Sequence, residues 1–503
     1  MDRIARGAGV TSAGQGVGRL LGYATQVALA RMYGPGQLGF YVLGITLVQA
    51  VNILSQFGMD NGVVRYVAHH AASKDVARIR GTVIQALLVT FAFSVALSIL
   101  MFFCAGFLAD EVFGRPLVER VFRYFSLAVP FFTLMSIALW ATQGFQTVKY
   151  ATYVQQVLRP LINLGFVFVF YLLGVQILGA VVAYVLSMFL GSLLALYYLV
   201  RVFPQLLDWR IPAKFESRAL FSASGPMLVA NFTQQMNSWA AAAMLMIFST
   251  QSAVAVGIFD AATRTANLST LVLFAFTGIF SPMISSLHSR GLLSDLGYLY
   301  KDVSRWAFTG ALAFFLITVL LAKDVMAVFG EEFVVGWPVV VVVAASQLFN
   351  VSVGPTARLL AMTGHQRIVL FSTLVSAGAV VGLCLLLIPH YDMLGAAVAT
   401  AAAVILANAM TLVFVRWRLD FWPYSHEYAK PTLAGLIAAA CVYLAQLALT
   451  PPPGLLTLAV FVPLFLMIFA GLLLALGLSP SDRRFLYAFW SAVRRTFRQR
   501  TSR

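Results

Sequence analysis

Arginines and carboxamide side chains recur at helical spacing inside strongly apolar segments of this chain. Four segments carry such stripes: Gln15, Arg19, Gly22 and Gln26; Gln49, Asn52 and Gln56; Asn231, Gln234 and Ser238; and Asp260, Arg264 and Asn267. Residues three or four positions apart share one face of a helix, so each stripe forms a polar wall. An arginine at the centre of a bilayer costs about 2.5–3.5 kcal/mol on insertion scales. We therefore expect Arg19 and Arg264 to face protein or water.

The charges of these stripes indicate the cargo that a cavity between them would take. Asp260 precedes Arg264 by four positions, so the two side chains can pair within one helix. One acid between Arg19 and Arg264 leaves the cavity net positive, and guanidinium groups fork onto phosphate oxygens. An anionic, phosphate-bearing substrate is the prediction, with hydrogen bonding between helices as the alternative role for each carboxamide. Arg159 and Arg358 are further candidate contacts, although both lie near the inner ends of their segments, where snorkelling would explain them.

The composition shows which solvent surrounds these stripes. Of the 503 residues, 61% are hydrophobic and 10% are charged, whereas soluble proteins are about 45–50% apolar and about 25% charged. A soluble globular protein is thereby excluded. Since a spanning helix needs roughly 20 apolar residues, the sequence predicts an all-α polytopic membrane protein with about fourteen transmembrane helices. The expected spans are 12–32, 37–59, 82–107, 123–145, 152–173, 177–200, 218–248, 253–287, 305–327, 337–362, 367–388, 393–415, 430–449 and 455–477.

The excess of basic residues gives the chain its expected orientation. The formal net charge is +16, from 34 Lys and Arg against 18 Asp and Glu. Most basic residues fall on one side if the N-terminus is cytoplasmic, as expected for a multi-pass protein of the cell membrane with both termini inside. In the tail from 481 to 503, apolar residues recur every fourth position, which predicts an amphipathic helix on an anionic membrane surface, with a frayed basic tail as the alternative. Neither interpretation requires nucleic acid.

Three short motifs recur at one offset, which indicates an internal duplication. At a separation of about 218 residues the chain repeats three pairs of segments: 38–41 with 256–259, 144–146 with 364–366, and 177–180 with 393–396. Two parallel six-helix repeats suit transport by alternating access. The expected domains are an N-terminal six-helix bundle (1–201), a cytoplasmic linker (202–217), a C-terminal six-helix bundle (218–416), helices 13 and 14 (417–480) and a basic amphipathic cytoplasmic tail (481–503).

Signals for an enzyme are poor. The GxGxxG match at 34–39 joins two spans and follows no strand, and the six histidines and three cysteines show no metal-ligand spacing. The short outer loop from 108 to 122 carries Asp110, Glu111 and Glu119, which reads as a solvated face. A transporter without a metal or cofactor is therefore expected, and a membrane glycan polymerase or ligase is the rival from another class.

The segment from Ala28 to Pro35, followed by 38–41, resembles the first loop of the polysaccharide-export flippases (O-antigen and oligosaccharide-lipid flippases) of the multidrug/oligosaccharidyl-lipid/polysaccharide (MOP) superfamily. The turns at 144–146 and 364–366 resemble the equivalent turns of that family, and the plan of six, six and two spans matches. The resemblance implies a flippase that moves a polyprenyl-diphosphate-linked oligosaccharide from the cytoplasmic to the outer leaflet for cell-surface polysaccharide biosynthesis. It also implies that Arg19 and Arg264 meet the diphosphate, as arginines of the same spans are thought to do in lipid II flippases.

Two relatives within the superfamily remain as alternatives. A lipid II flippase would carry an arginine in the middle of span 2, where this chain has Gln49 and Asn52. A drug/cation antiporter would favour twelve spans and an acidic cavity. Coupling to protons or sodium stays open, with Asp260 as the candidate acid. The expected partners are the lipid-linked glycan, membrane lipids, and the glycan polymerase and glycosyltransferases of the same pathway.

Overall fold

The computed structural model describes residues 2–215, 217–249, 251–449 and 454–477, except the side chains of 2–13, 61, 217–227, 229–230, 275–279 and 281–282. No β-strand occurs in these ranges. Their α-helices are α1 Asp2–Gln56, α2 Met59–Ala72, α3 Val76–Phe107, α4 Pro116–Ser126, α5 Ala128–Gly144, α6 Lys149–Ala151, α7 Arg159–Leu172, α8 Ile177–Val202, α9 Ser217–Phe248, α10 Ser252–Asn267, α11 Thr270–Ser289, α12 Leu293–Leu320, α13 Ala322–Ala327, α14 Trp337–Ser352, α15 Thr356–Met362, α16 Gln366–Leu419, α17 Ala429–Leu449 and α18 Leu455–Ala475. Short π-helical pieces lie at Leu108–Val112 and Thr152–Leu158, and 3-10 turns lie at Pro204–Leu207, Glu331–Gly336 and His426–Tyr428.

The long helix α1 is two membrane passages joined at a break. Gly34 has a left-handed φ of 74° and is followed by Pro35, which supplies no backbone N–H. On a straight helix Gln26 and Gln49 would be roughly 35 Å apart. Instead Gln26 donates to Asp260, and Gln49 lines a chamber together with the same Asp260. The chain therefore folds back at Gly34, between the expected first and second spans.

The helix α16 contains a second fold-back, at Asp392. This residue has φ 51° and ψ −128°, a conformation that a residue with a Cβ rarely adopts. Ser376 Oγ donates to the Ala403 carbonyl at 3.0 Å, although a straight helix would separate the two residues by roughly 40 Å. Asp392 thus marks the turn between the expected spans 11 and 12.

The described residues make fourteen membrane passages, which confirms the expected number. Ten of their helical stretches are long and apolar enough to span a membrane. Two of these, α1 and α16, each contain two passages. The helix α9 and the pair α10–α11 supply the remaining two.

Two expected segments differ from the structure in detail. The single span expected at 253–287 is broken into α10 and α11 around Leu268 and Ser269. The outer loop expected at 108–122 is largely helical, because Pro116 occupies the first turn of α4, where its missing N–H does no harm. Within it, Glu119 pairs with Arg123 at 2.6 Å across one helical turn.

The linker between the two halves is held by backbone contacts. Arg80 of α3 is buried and donates from Nε to the Leu206 carbonyl at 3.1 Å, and a second of its nitrogens donates to the Ile211 carbonyl. The Lys214 N–H donates to the Ala77 carbonyl at 3.1 Å. These bonds hold the segment after α8 against the first turns of α3. The expected orientation places that end of α3 on the cytoplasmic side.

The last two helices form an appendix on the second half. Their inward face packs on α12 through an apolar cluster of Leu312, Leu316, Ala434, Ala438, Phe461, Phe465 and neighbouring residues. At one end the Gly454 N–H donates to Asp324 Oδ1 at 2.8 Å. At the other, Arg305 of α12 pairs with Glu427 at 2.9 Å, just before α17. Both ends of the appendix are thus fixed to the second half.

The glycines of the repeat motifs have comparable surroundings at two of the three anchors, Gly39 with Gly257 and Gly179 with Gly395. Gly179 and Gly395 each begin a helix after a short turn, and a Cβ at either would press on the preceding segment. The other anchor is less regular. Gly144 approaches Val67 closely within a helix, whereas Gly364 has a left-handed φ of 87° and open space around it.

Candidate substrate cavity

The two halves meet along α1 and α10, and polar residues of both stripes connect them. Gln26 Nε2 donates to Asp260 Oδ2 at 2.5 Å. Tyr23 and Thr265 share a hydrogen bond of 3.2 Å between their hydroxyl groups. The stripes expected on spans 1 and 8 therefore face each other where the two halves meet.

A first chamber of about 500 Å³ contains both predicted arginines. Arg19 enters from the first half and Arg264 from the second. Gly18 allows α1 to lie close to the π-helical piece Thr152–Leu158, because a Cβ there would lie 2.5 Å from the Gln156 side-chain oxygen and 2.8 Å from its backbone oxygen. The chamber walls are Gly18, Arg19, Gly22, Tyr23, Gln156, Arg264, Asn267, Leu268, Thr270 and Gln347.

The guanidinium of Arg19 is oriented by neutral partners. Its Nη1 donates to Thr270 Oγ1 at 2.9 Å, and its Cζ lies 3.8 Å from the centre of the Phe274 ring. A cation over an aromatic face is stabilised by the quadrupole of the ring without neutralisation of the charge. Arg19 therefore retains its full positive charge toward the chamber.

Arg264 is paired within its own helix, as the spacing predicts. Its Nε lies 2.6 Å from Asp260 Oδ2, and 40% of the Arg264 side chain is exposed to the cavity. The same carboxylate oxygen also accepts the Gln26 hydrogen bond. Arg19 and Arg264 opposed by one acid give the chamber walls a net charge of +1, which suits an anion.

A second chamber of about 420 Å³ adjoins the first and is mainly neutral. Asp260, Arg264, Asn267 and Gln347 belong to its walls, and Arg264, Asn267 and Gln347 line both chambers. Its other polar groups are Thr46, Gln49, Gln235, Asn237, Ser238, Trp239, Thr263 and Thr400. Trp239 Nε1 donates to Gln49 Oε1 at 3.1 Å, a further bond between the halves.

Two of the carboxamides expected at the cavity form hydrogen bonds elsewhere. Asn52 is buried in the first half, where its Oδ1 accepts a hydrogen bond from Thr133 at 3.0 Å. Asn231 lies toward the end of the seam between α2 and α9, where its Nδ2 donates to Asp60 Oδ2 at 2.9 Å. These carboxamides connect helices, which was the alternative role weighed for them.

The remaining expected residues lie outside the walls of both chambers. Gln15 and Gln56 are half-buried on α1, and Gln234 is exposed on α9. Arg358 is exposed on α15. Arg159 packs inside the first half beside Gly191 of α8, and its Nε is buried without a hydrogen-bond partner among the described residues.

Sequence reasoning missed one wall of the cavity, on α14. Gln347 Nε2 donates to Asn267 Oδ1 at 2.9 Å, and Asn350 Nδ2 donates to Gln347 Oε1 at 2.9 Å. The signal was present, since Gln347 and Asn350 are polar residues three positions apart in an apolar run. Trp239, next to Ser238 in the span 7 stripe, was also missed.

Other chemistry finds little support among the described residues. They contain no group of three or more His, Cys, Asp or Glu side chains able to hold a metal ion. The three cysteines are free. The GxGxxG match at 34–39 coincides with the break in α1. The basic tail at 481–503 lies outside the described residues.

Sequence comparisons place the chain in a family. The model of the family described as "Polysaccharide biosynthesis protein" matches residues 4–288. Stage V sporulation protein B of Bacillus subtilis (strain 168) is 25% identical over 187 residues, which are 36% of this chain and 36% of that protein. The chain thus matches about a third of the length of this curated relative.

Solved structures with the same fold are transporters of one superfamily. The lipid II flippase MurJ in an inward closed conformation superposes with a TM-score of 0.73 at 13% identity, over 92% of this chain and 97% of that one. An inward-facing multidrug resistance MATE family transporter of the MOP superfamily gives a TM-score of 0.68 at 17% identity, over 80% and 94%. The chain belongs to the polysaccharide biosynthesis protein family, and its fold is that of the MOP-superfamily transporters.

Proposed function

We propose that this protein is a flippase that moves polyprenyl-diphosphate-linked oligosaccharide units from the cytoplasmic to the outer leaflet of the cell membrane by alternating access. The observation that carries the proposal is the chamber between the halves, into which Arg19 and Arg264 project from opposite repeats. Membership of a polysaccharide biosynthesis family supports a glycan cargo. The arginines supply the counter-charge that a diphosphate needs in a membrane.

The placement of the two arginines suits a substrate whose binding changes how the two halves rock against each other. A diphosphate held by Arg19 and Arg264 would contact both halves at once, so its presence would change their relative stability in different orientations. The chamber of about 500 Å³ lies within the 300–1,000 Å³ typical of small-molecule sites. It fits a diphosphate with an adjoining sugar, and longer glycan must extend beyond it.

The chemistry of the second chamber favours a glycan over a drug or a peptide. Apart from Asp260 and Arg264, the polar groups of its walls are carboxamides, hydroxyls and one indole, which hydrogen-bond or stack with neutral sugar rings. Gln49 lies in the part of span 2 where a lipid II flippase would have an arginine. Its Oε1 accepts a hydrogen bond from Trp239. A general polysaccharide unit therefore fits better than lipid II, the substrate after which the MurJ flippase is named. The net positive centre disfavours a cationic drug.

The pathway and the energy source follow from the same proposal. The protein would receive its cargo from glycosyltransferases on the cytoplasmic side and deliver it to a glycan polymerase outside. Coupling to protons or sodium would involve Asp260, the one acid in the chamber walls of the described residues. No nucleic acid, metal or organic cofactor enters this mechanism.

Reconstitution into liposomes tests the proposal. A labelled polyprenyl-diphosphate disaccharide would be offered, and its transfer between leaflets followed by the access of an impermeant glycosidase. Replacement of Arg19 or Arg264 with Ala should slow transfer at least tenfold, since a hydrogen bond to a charged group contributes about 1.5–3 kcal/mol and 1.4 kcal/mol is a factor of ten.

The matched control is Arg115→Ala, an exposed arginine before α4 that lines neither chamber. Its transfer rate should equal that of the wild type. Unchanged transfer in both cavity variants would refute the assignment of the site. Transfer of no lipid-linked glycan by the wild-type protein would refute the function.

A further inference from the structure

The two halves make a close backbone contact at a pair of glycines, Gly39 on α1 and Gly257 on α10. A Cβ at Gly39 would overlap the carbonyl oxygen of Ala253, and a Cβ at Gly257 would overlap the carbonyl oxygen of Pro35. The same hypothetical Cβ of Gly257 would lie 3.2 Å from the backbone nitrogen of Gly39. Backbone therefore packs on backbone here, which only the absence of both side chains allows.

These glycines are equivalent positions of the internal repeat. Gly39 belongs to the motif at 38–41 and Gly257 to the matching motif at 256–259. Each approaches the backbone of the other's helix. The contact therefore lies where the two repeats face each other symmetrically, so it must separate when the halves rock apart at this end. We call the contact between Gly39 and Gly257 the glycine seam.

A cavity of about 1,250 Å³, the vestibule, opens directly beside the glycine seam. It is lined from the first half by Arg31 and the residues 33–37, from the second half by residues around Lys323 and Glu332, and by Gly454 of the appendix. Material that leaves the central chambers through the seam would enter this space.

Arg31 connects the halves across the vestibule. Its Nε donates to the Val328 carbonyl at 2.7 Å and its Nη2 to the Ala327 carbonyl at 3.4 Å. These carbonyls lie at the end of α13, and the Ala327 oxygen also accepts a hydrogen bond from the Gly330 N–H at 3.1 Å. Because Arg31 is exposed and its acceptors are neutral, water can replace both bonds when they break. The two hydrogen bonds of Arg31 are therefore weak enough to break and re-form repeatedly.

We infer that the glycine seam and Arg31 form the gate between the central chambers and the vestibule: the two glycines make the closed state sterically possible, and Arg31 holds it. This inference rests on the proposed alternating access, but it concerns the conformation of the protein without cargo. It explains two features of the sequence that the binding site leaves unused, the arginine of the 28–35 motif and the glycine repeated at 39 and 257.

Double electron–electron resonance on the purified protein in nanodiscs tests the gate. The three native cysteines are replaced by alanine, and spin labels are placed at the exposed residues Leu173 and Val335. Val335 follows Val334 of the vestibule wall, and Leu173 lies two positions before Val175, whose carbonyl accepts from the vestibule residue Tyr33. In Gly39→Ala and Gly257→Ala the fraction with a longer distance between labels should rise about tenfold, because overpacking a close contact disfavours the closed state. Arg31→Ala should raise that fraction about threefold with the glycine packing intact.

Two glycine substitutions serve as matched controls for the glycine variants. Gly36→Ala adds a Cβ on the same helix at 3.5 Å from Val254, an ordinary contact, and Gly378→Ala adds one in open space on α16. Both should keep the distance distribution of the parent protein. Arg115→Ala should do the same for the arginine variant.

Unchanged distances in folded Gly39→Ala, Gly257→Ala and Arg31→Ala would overturn the gate. Folding is judged by monodispersity and thermal midpoint, and Arg31→Ala decides the matter if the glycine variants fail to fold. The measurement uses no substrate. A failed gate would therefore leave the flippase proposal standing, and loss of glycan transfer by the wild type would leave the gate result intact.

Discussion

At the residue scale, the central charge balance depends on one carboxylate oxygen. Asp260 Oδ2 accepts from Arg264 at 2.6 Å and from Gln26 at 2.5 Å, so the same atom restrains an arginine of the chamber and links the two halves. The spacing of Asp260 and Arg264 was enough to predict their pairing, since residues four apart on a helix are neighbours. The link to Gln26 required the packing of α1 on α10.

Removal of this negative charge should strengthen anion binding. In Asp260→Asn the amide oxygen can still accept from Gln26, while Arg264 loses its ionic partner. The Arg264 side chain is 40% exposed, so the pair is worth up to about 1 kcal/mol, and we expect affinity for a short-chain polyprenyl diphosphate to rise up to about fivefold. Isothermal titration calorimetry in detergent measures it. Asp110→Asn, an exposed acid away from the chambers, is the control; weaker binding in Asp260→Asn would contradict the charge argument.

At the element scale, the helices that surround the cavity are interrupted. The helix α1 reverses at Gly34, α16 reverses at Asp392, and the eighth span is divided into α10 and α11 next to Asn267. Such breaks are tolerated where other groups satisfy the freed backbone, as the hydroxyls of Ser269 and Thr270 do by donating to the Ala266 and Asn267 carbonyls. Hydropathy located the spans, because length and apolar content determine them. The division of span 8 was missed, since the sequence around Leu268 and Ser269 contains neither glycine nor proline.

The fold-back of α16 should depend on Gly395. A Cβ at this position would overlap the carbonyl oxygen of Leu387, in the segment before the turn. We expect Gly395→Ala to lower the free energy of unfolding by about 1–3 kcal/mol through overpacking. Gly382→Ala, on the same helix with nothing within 4 Å, is the control and should be neutral or stabilising. Thermal melts followed by tryptophan fluorescence measure both; equal midpoints for the two variants would show that the turn has room to adjust.

At the scale of the whole molecule, two six-passage halves enclose the cavity and a two-helix appendix packs on the second. The expected fold is confirmed, since MOP-superfamily transporters share it, and the resemblance to a polysaccharide family, first suggested by the segment from Ala28 to Pro35, is confirmed by the family match. The function of the duplication stays a proposal. Its physical basis is that Arg19 and Arg264 enter one chamber from opposite halves.

The distribution of basic residues predicts the orientation of this assembly. We expect a fluorescent protein fused after residue 503 to fluoresce, because its fluorescence requires a cytoplasmic location. Alkaline phosphatase inserted after Gly114, in a turn exposed between helical segments, should be active only if that turn lies outside. The reciprocal fusions are the controls, and the opposite pattern of activity would show that the membrane orientation is reversed.

The sequence by itself determined the solvent, the number of passages and the local pairs. Apolar length sets the passages, and spacing of four places Asp260 beside Arg264, because both depend on positions close along the chain. Only the tertiary structure decided which stripe residues face the cavity. Gln49 and Asn52 are three positions apart on one helix and belong to one stripe. Even so, Asn52 accepts a hydrogen bond from Thr133, whereas Gln49 lines a chamber. The rotation of each helix against its neighbours makes that choice, and it depends on contacts between residues far apart in sequence, such as Gly39 with Gly257.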